Sequence, residues 1–139
     1  KIYAVGEKGI LGQVAGLAAE KCLRLEKAGN WIVDPVMFDC SMQLGGIWAR
    51  KCFDITALPT GFRRLTFYSP IASKADDLLY VHIIISPESS QNELRCDMAI
   101  YSLAGDLLIY VEDLAGVGSK SLHRLANQNA ATIEASISG

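Results

Sequence analysis

The amino-acid sequence predicts an α+β domain in which an antiparallel sheet curves around one long helix. Two observations indicate this class: residues 33–53 carry apolar side chains at helical spacing, and residues 62–114 contain four successive segments with strand-like patterns. A helix and a sheet bury their apolar faces against each other, so this order of elements favours two packed layers. The length of 139 residues is close to that of a single domain.

The predicted central helix begins at Asp34 and Pro35. An aspartate at this position accepts hydrogen bonds from first-turn amides, and a proline at the first helical position gives up only an N–H that lacks a helical partner. Apolar residues recur at helical spacing and also spread around the helix: Val36, Met37, Cys40, Leu44, Ile47 and Trp48. A helix that is apolar on nearly every side is surrounded by other structure, so we predict that it is buried.

Two polar residues, Asp39 and Gln43, lie within this apolar helix, four residues apart and therefore on the same face. A buried carboxyl group is costly unless its chemistry is needed. Asp39 is therefore the leading candidate for a functional residue, and we expect its side chain to be buried.

The strands are predicted from alternation and from branched and aromatic residues. The four clearest candidates are residues 62–69, 77–86, 93–102 and 106–114. A short connection containing Gly105 makes the last two a hairpin. Residues 9–19 are a weaker strand candidate.

The segments between these elements are predicted to be irregular. Residues 22–30 have the composition of a turn or linker, and residues 53–60, which include Pro59, are predicted to be a short connection. Glycines at 116 and 118 are expected to break the last strand. We therefore predict one domain over residues 1–118, followed by a linker or partly ordered tail over residues 119–139.

Composition excludes several classes of function. Half of the residues are hydrophobic and 20% are charged, as in a packed globular chain. The net charge of -2 and the absence of a basic cluster longer than Arg63-Arg64 argue against nucleic-acid binding. No apolar run approaches the roughly 20 residues that cross a bilayer. The sequence begins at Lys1 without a methionine or signal-like region, so we expect a piece of a longer, cytoplasmic protein.

The cysteines are predicted to be reduced core thiols. Four are present, far apart and without a CxxC pair: Cys22, Cys40, Cys52 and Cys96. This spacing disfavours a zinc site, and in a cytosolic protein it also disfavours disulfides.

Two segments resemble the dehydratase domains of polyketide and related fatty-acid synthases. Residues 34–43, DPVMFDCSMQ, resemble the HPxxLDxxxQ helix of that family, and residues 57–62, ALPTGF, resemble the Leu-Pro segment that follows it. The order of strand, polar loop, strand, AGD turn and strand over residues 76–116 also fits. The resemblance covers about residues 31–116 and implies the hot-dog fold, a curved antiparallel sheet wrapped around one central helix.

Domains of this family are double hot dogs, and this chain resembles the second half. The first hot dog supplies a histidine in an HxxxGxxxxP motif, and the second supplies the aspartate of DxxxQ. Neither His82 nor His123 lies in an HxxxGxxxxP setting, and the linker motif GYxYGPxF is absent. Asp34 stands where many relatives have histidine. The resemblance therefore implies a partner, either the N-terminal hot dog of the same synthase or a homodimer mate.

The implied reaction is the dehydration of a 3-hydroxyacyl group on an acyl carrier protein to a 2-enoyl thioester. The resemblance makes Asp39 the acid and Gln43 its orienting partner. Asp39 would have to keep its proton near pH 7, which desolvation favours. No metal or redox cofactor is implied, because the phosphopantetheine arm belongs to the carrier. Four further residues are predicted to contact the acyl chain: Gly46, Leu58, Pro59 and Phe62.

Other interpretations of the same residues stay open. A stand-alone hot-dog thioesterase or hydratase would act as a homodimer, with Asp39 activating water. A non-catalytic hot dog would shape the synthase without turnover. Core packing explains the acyl-contact candidates almost as well as a substrate does. His82 is expected in the core or on a sheet face, and Arg63-Arg64 on a solvated strand face rather than against a carrier phosphate.

Overall fold

The computed structural model describes residues 1–16, 33–69 and 78–122. Within these ranges one helix and a seven-stranded sheet form. The elements are β1 Ile2–Gly6, β2 Gly9–Ala15, α1 Pro35–Phe53, β3 Thr56–Gly61, β4 Arg64–Phe67, β5 Leu78–Ile85, β6 Glu93–Tyr101 and β7 Leu107–Ser119. Neighbouring strands pair antiparallel in the order β1-β2-β5-β6-β7-β3, and β4 also pairs with β7. The predicted fold class is confirmed.

Helix α1 begins where the sequence predicts. The Oδ1 atom of Asp34 accepts hydrogen bonds from the backbone N–H groups of Val36 at 2.8 Å and Met37 at 3.1 Å. The helix ends at Asp54, whose left-handed backbone (φ 52°) lets its N–H bond to the carbonyl of Ala49. Asp34 is only 4% exposed, so the cap belongs to the packed structure.

Replacing Asp34 by alanine should destabilise the domain by about 1–2 kcal/mol, because two first-turn N–H groups then lose their acceptor. The measurement is the midpoint of urea unfolding followed by circular dichroism. Asp34→Asn retains a side-chain oxygen at the cap, so its loss of unfolding free energy should be much smaller. Equal losses in the two variants would contradict a capping role.

Helix α1 buries one face against the sheet and leaves the other uncovered in the described structure. Its buried residues are Met37, Ser41, Leu44, Gly45, Trp48 and Ala49. Ser41 Oγ donates to the carbonyl of Met37 at 2.8 Å, which satisfies the one buried hydroxyl on this face. Val36 and Ile47 are 36% and 43% exposed. The prediction of a helix buried on all sides is therefore wrong for this chain, because the sheet covers it from one side.

The segment predicted as a connection, residues 53–60, instead contains β3. Pro59 disfavoured a strand because it cannot donate a backbone hydrogen bond. Strand β3 tolerates it because it lies at the edge of the described sheet, paired with β7 on one side. The side chain of Thr60 adds a hydrogen bond to the carbonyl of Ala115 at 3.2 Å.

The predicted break at residues 116–119 is also wrong, because β7 continues to Ser119 as the partner of β3. The glycines permit close approach there. A Cβ atom on Gly116 would lie 3.0 Å from the carbonyl oxygen of Leu58, and one on Gly118 would lie 2.4 Å from Cδ1 of Ile55. The predicted turn at 22–30 and most of the predicted tail lie outside the described residues. Strand β1 was not predicted.

The outer face of the sheet carries a polar network at a bulge in β7. Asp113 adopts φ 52°, and its N–H donates to Oδ1 of Asp97 at 2.9 Å. The hydroxyl of Tyr110 donates to Oδ2 of the same carboxylate at 2.8 Å, and Arg95 Nη1 contacts Asp113 at 2.8 Å. His82 is half-buried and alternates with buried neighbours along β5, so it lies on this sheet face, one of the two positions predicted for it.

The hydrogen bond to Asp97 raises the pKa of Tyr110 to about 12, with burial adding to the effect. A raised pKa means that folding favours the neutral phenol. The contribution is present below the unfolded pKa near 10 and is lost as pH rises toward 12. We expect absorbance at 295 nm to show one late-titrating tyrosine, missing in Tyr110→Phe and shifted to lower pH in Asp97→Asn. An unchanged titration curve in both variants would contradict the assignment.

The three described cysteines are free, as predicted, but they are not all in the core. Cys96 is buried, and burial raises the pKa of its thiol to about 12, with Asp97 and Asp113 adding to the shift. Cys40 is half-buried. Cys52 is exposed in the last turn of α1, which corrects its assignment to the core. No helix among the described residues is long and apolar enough to cross a membrane.

Candidate functional site

A groove of about 810 Å³ runs between the uncovered face of α1 and strand β3. It is lined by Asp39, Met42, Gln43, Gly46, Ile47, Arg50, Lys51, Ile55, Thr56, Ala57, Leu58 and Pro59. The helical members recur every three or four residues, which places them on one stripe of the helix. Polar groups stand at both ends of this stripe and apolar groups lie between them.

Asp39 and Gln43 form the first of these polar ends. The side-chain amide of Gln43 donates from Nε2 to Oδ2 of Asp39 at 2.7 Å. Both side chains are exposed, so the prediction that Asp39 is buried is wrong for this chain. Asp39 and Gln43 are exposed because they lie on the face of α1 that points away from the sheet. The sheet covers the opposite face, where Trp48 donates from Nε1 to the carbonyl of Gly6 at 2.7 Å.

The hydrogen bond gives Asp39 a defined rotamer. The amide occupies Oδ2, while Oδ1 has no hydrogen-bond partner among the described residues and can meet a substrate hydroxyl. An amide donor also brings no net charge to the carboxyl group. The pair can therefore present one carboxyl oxygen in a fixed direction at the mouth of an apolar groove.

Three of the four predicted acyl-contact residues lie in the groove and one does not. Gly46, Leu58 and Pro59 line it together with the Asp39–Gln43 pair. Phe62 is 49% exposed and does not line it, because the chain has passed the end of β3 by that residue. The acyl-binding role itself stays a prediction for these residues.

Several residues that line the groove were not predicted from the sequence. Ile47 and Arg50 stand eight and eleven residues after Asp39, a spacing that returns to the same helical face and could have identified them. Ile55 and Ala57 could not be found in this way, because they come from the segment predicted to be a connection.

Of the two adjacent glycines in α1, Gly45 is buried in the core and Gly46 lines the groove. A Cβ atom on Gly45 would lie 3.5 Å from Cδ1 of Ile83, and one on Gly46 would lie 3.9 Å from the carbonyl oxygen of Ala57. Both are ordinary contact distances, so close approach of the sheet does not require either glycine. Gly46 keeps the middle of the groove open.

Other predicted groups lie away from the groove. His82 is on the outer face of the sheet, and no histidine of the described residues lines the groove. Arg63 and Arg64 both form ion pairs with Glu112, and the distance from Arg64 Nε to Glu112 Oε2 is 3.2 Å. No group of three or more histidine, cysteine, aspartate or glutamate side chains within the described ranges could hold a metal ion.

A curved antiparallel sheet packed against one long helix defines the hot-dog class of domains, and here the groove lies between the helix and an edge strand. A family model described as "Polyketide synthase dehydratase N-terminal domain" matches residues 2–129. The chain belongs to this polyketide synthase dehydratase family. The description speaks of an N-terminal domain, whereas the DxxxQ helix resembles the second hot dog, so the assignment to the second half stays a prediction.

Solved structures with the same fold include dehydratases and thioesterases. The inactive mutant of the CurJ dehydratase, in complex with a compound, has a TM-score of 0.63 at 21% identity, over 89% of this chain and 41% of that one. A thioesterase from Haemophilus influenzae has a TM-score of 0.60 at 12% identity, over 86% of this chain and 77% of that one. The chain thus spans about two fifths of the CurJ structure. No curated protein matches the sequence.

Proposed function

We propose that this chain is the DxxxQ hot dog of a dehydratase in a multidomain polyketide or fatty-acid synthase of the cytoplasm. Its substrate would be a 3-hydroxyacyl group carried on an acyl carrier protein, and its product a 2-enoyl thioester. The observation that carries the proposal is the Asp39 carboxyl held by Gln43 at the mouth of an apolar groove. Membership of the polyketide synthase dehydratase family supports the reaction class.

In the proposed mechanism a base removes a proton from the carbon next to the thioester carbonyl. The carbon–oxygen bond at the neighbouring carbon then breaks, and Asp39 gives its proton to the departing hydroxyl, which leaves as water. The carboxylate of Asp39 regains a proton when the base gives up the one it took. Gln43 orients the acid by its hydrogen bond throughout.

The base would be a histidine of a partner hot dog, either the preceding one in the same synthase or a second copy. Such a partner would also cover the exposed face of α1. Covering Asp39 would remove it from water and favour its neutral form, which the acid role requires. The exposure of Asp39 in this chain is thus consistent with half of a site. No metal or redox cofactor enters the proposal.

The test uses the synthase protein that carries this chain and a 3-hydroxyacyl pantetheine thioester. Formation of the conjugated enoyl thioester, read by ultraviolet absorbance and mass spectrometry, supports the proposal. Release of free thiol without enoyl product would overturn it in favour of a thioesterase. A protein that gives neither product would overturn it in favour of a structural hot dog.

A thioesterase is the second candidate function because solved thioesterases match along most of their length. The one from Haemophilus influenzae is covered over 77%. A hypothetical thioesterase with coenzyme A from Streptococcus pneumoniae is covered over 87%, at 10% identity and a TM-score of 0.58. In that function Asp39 would activate water, and two copies of this chain would form the site.

A further inference from the structure

The end of the groove away from Asp39 is positively charged. Arg50 and Lys51 line it, and both lie in the last turn of α1. Arg50 has one long contact, 3.9 Å from Asp54, and Lys51 forms no ion pair within the described residues. Lys120 also approaches Asp54, at 3.7 Å. Arg50 and Lys120 therefore share the carboxylate of Asp54, and Lys51 adds a further cation, which leaves this end of the groove with an excess of positive charge.

The distance between the two ends matches a particular kind of ligand. Arg50 follows Asp39 by eleven residues, which is about 16 Å along a helix at about 1.5 Å per residue. A pantetheine arm has about 14 bonds between its thioester carbonyl carbon and its phosphorus, and an extended chain of that length spans about 16–18 Å. A thioester carbonyl near Asp39 therefore places the phosphate beside Arg50 and Lys51.

We infer that Arg50 and Lys51 bind the phosphate of a phosphopantetheine arm that lies along the groove. This inference rests on the proposed function, because it takes a pantetheine thioester as the substrate. The middle of the groove suits the arm: Gly46 leaves room beside the helix, while Ile47 and Leu58 provide apolar contacts. In this arrangement Gly46 and Leu58 contact the arm instead of the acyl chain that was predicted for them. The guanidinium group of arginine and the ammonium group of lysine are both common phosphate ligands.

The other basic pair, Arg63 and Arg64, does not fit this ligand. Arg63 and Arg64 are both bound to Glu112 and do not line the groove. Both guanidinium groups are thus held by one carboxylate, and neither lines the groove that holds Asp39. An arm that starts at Asp39 and follows the groove brings its phosphate to the end of α1 instead.

The test measures binding and does not need turnover. Stable amide analogues of a 3-hydroxyacyl pantetheine, with and without the terminal phosphate, are titrated calorimetrically into the synthase protein that carries this chain. We expect the phosphorylated analogue to bind about fivefold more tightly, the size expected for two exposed charge contacts. The preference should shrink as salt is raised.

The variant Arg50→Gln/Lys51→Gln should abolish this preference, while Arg50→Lys/Lys51→Arg should keep it. The matched control is Arg63→Gln, which removes the same kind of charge from outside the groove and should leave the preference unchanged. Equal affinities for the two analogues, a loss in Arg63→Gln as large as in the double variant, or no binding of either analogue would overturn the inference. Displacement of the phosphorylated analogue by inorganic phosphate at equal concentration would also overturn it, since the arm would then add nothing. Enoyl formation with no phosphate preference would leave the proposed function standing and remove the phosphate site only.

Discussion

Replacing Asp39 by asparagine in the synthase protein should lower kcat for enoyl formation by about 10²–10⁴-fold, the range that a positioned acid or base contributes. Asparagine has nearly the same shape and can still contact Gln43, but it has no proton of suitable acidity to give to a leaving hydroxyl. The substrate contacts remain, so KM should change little. The measurement is a steady-state assay of enoyl formation from a 3-hydroxyacyl pantetheine thioester.

Two further variants separate chemistry from structure. Asp106→Asn changes an exposed carboxylate in the turn between β6 and β7, away from the groove, and should keep wild-type activity. Gln43→Ala keeps the acid but frees its rotamer, and should cause a smaller loss than Asp39→Asn. Asp39 is exposed, so Asp39→Asn should unfold at the wild-type urea midpoint. Full activity of Asp39→Asn, or a clear loss of stability in it, would contradict the acid role.

Gly9→Ala should cause the largest loss of stability, about 3 kcal/mol, with an unfolding midpoint well below that of the wild type. A Cβ atom on Gly9 would lie 2.0 Å from the backbone oxygen of Ile83, and φ at this residue is +153°. The contact is with backbone in the paired strand β5, so it can be relieved only by separating β2 from β5. Urea unfolding followed by circular dichroism and tryptophan fluorescence measures the loss.

Gly6→Ala is the matched control because it lies at the other side of the same hairpin turn. A Cβ atom on Gly6 meets nothing within 4 Å among the described residues, and the residue has no positive φ. We expect its unfolding free energy to stay within about 0.5 kcal/mol of the wild type. A similar loss in the two variants would show that the hairpin needs flexibility at both glycines and would contradict the steric argument.

The parts of the fold that follow local rules were predictable. The start of α1 at Asp34-Pro35 and the central strands β5 and β6 depend on capping and on the alternation of side chains along the chain. Strand β3 was not predicted because a proline such as Pro59 usually interrupts a strand. Its place at the edge of the sheet, which makes the proline harmless, is set by residues about 55 positions away in β7.

In the candidate site, too, the local contact was predictable and the burial was not. The hydrogen bond between Asp39 and Gln43 follows from their separation of one helical turn, so the sequence predicted that they meet. Their exposure did not follow, because the helix also carries apolar residues on the uncovered side, such as Ile47. The roles of Asp39 and Gln43 in catalysis stay predictions.

What the amino-acid sequence determined by itself is the set of features that nearby residues impose on one another: the helix and its cap, the strand alternation, the Asp39–Gln43 pair and the motifs of the dehydratase family. The tertiary structure decided which side of α1 the sheet covers, and with it the groove and its charged end at Arg50 and Lys51. The physical reason is that hydrogen bonds within a turn depend on spacing along the chain. Burial depends on which distant strands come together, and no local pattern specifies that.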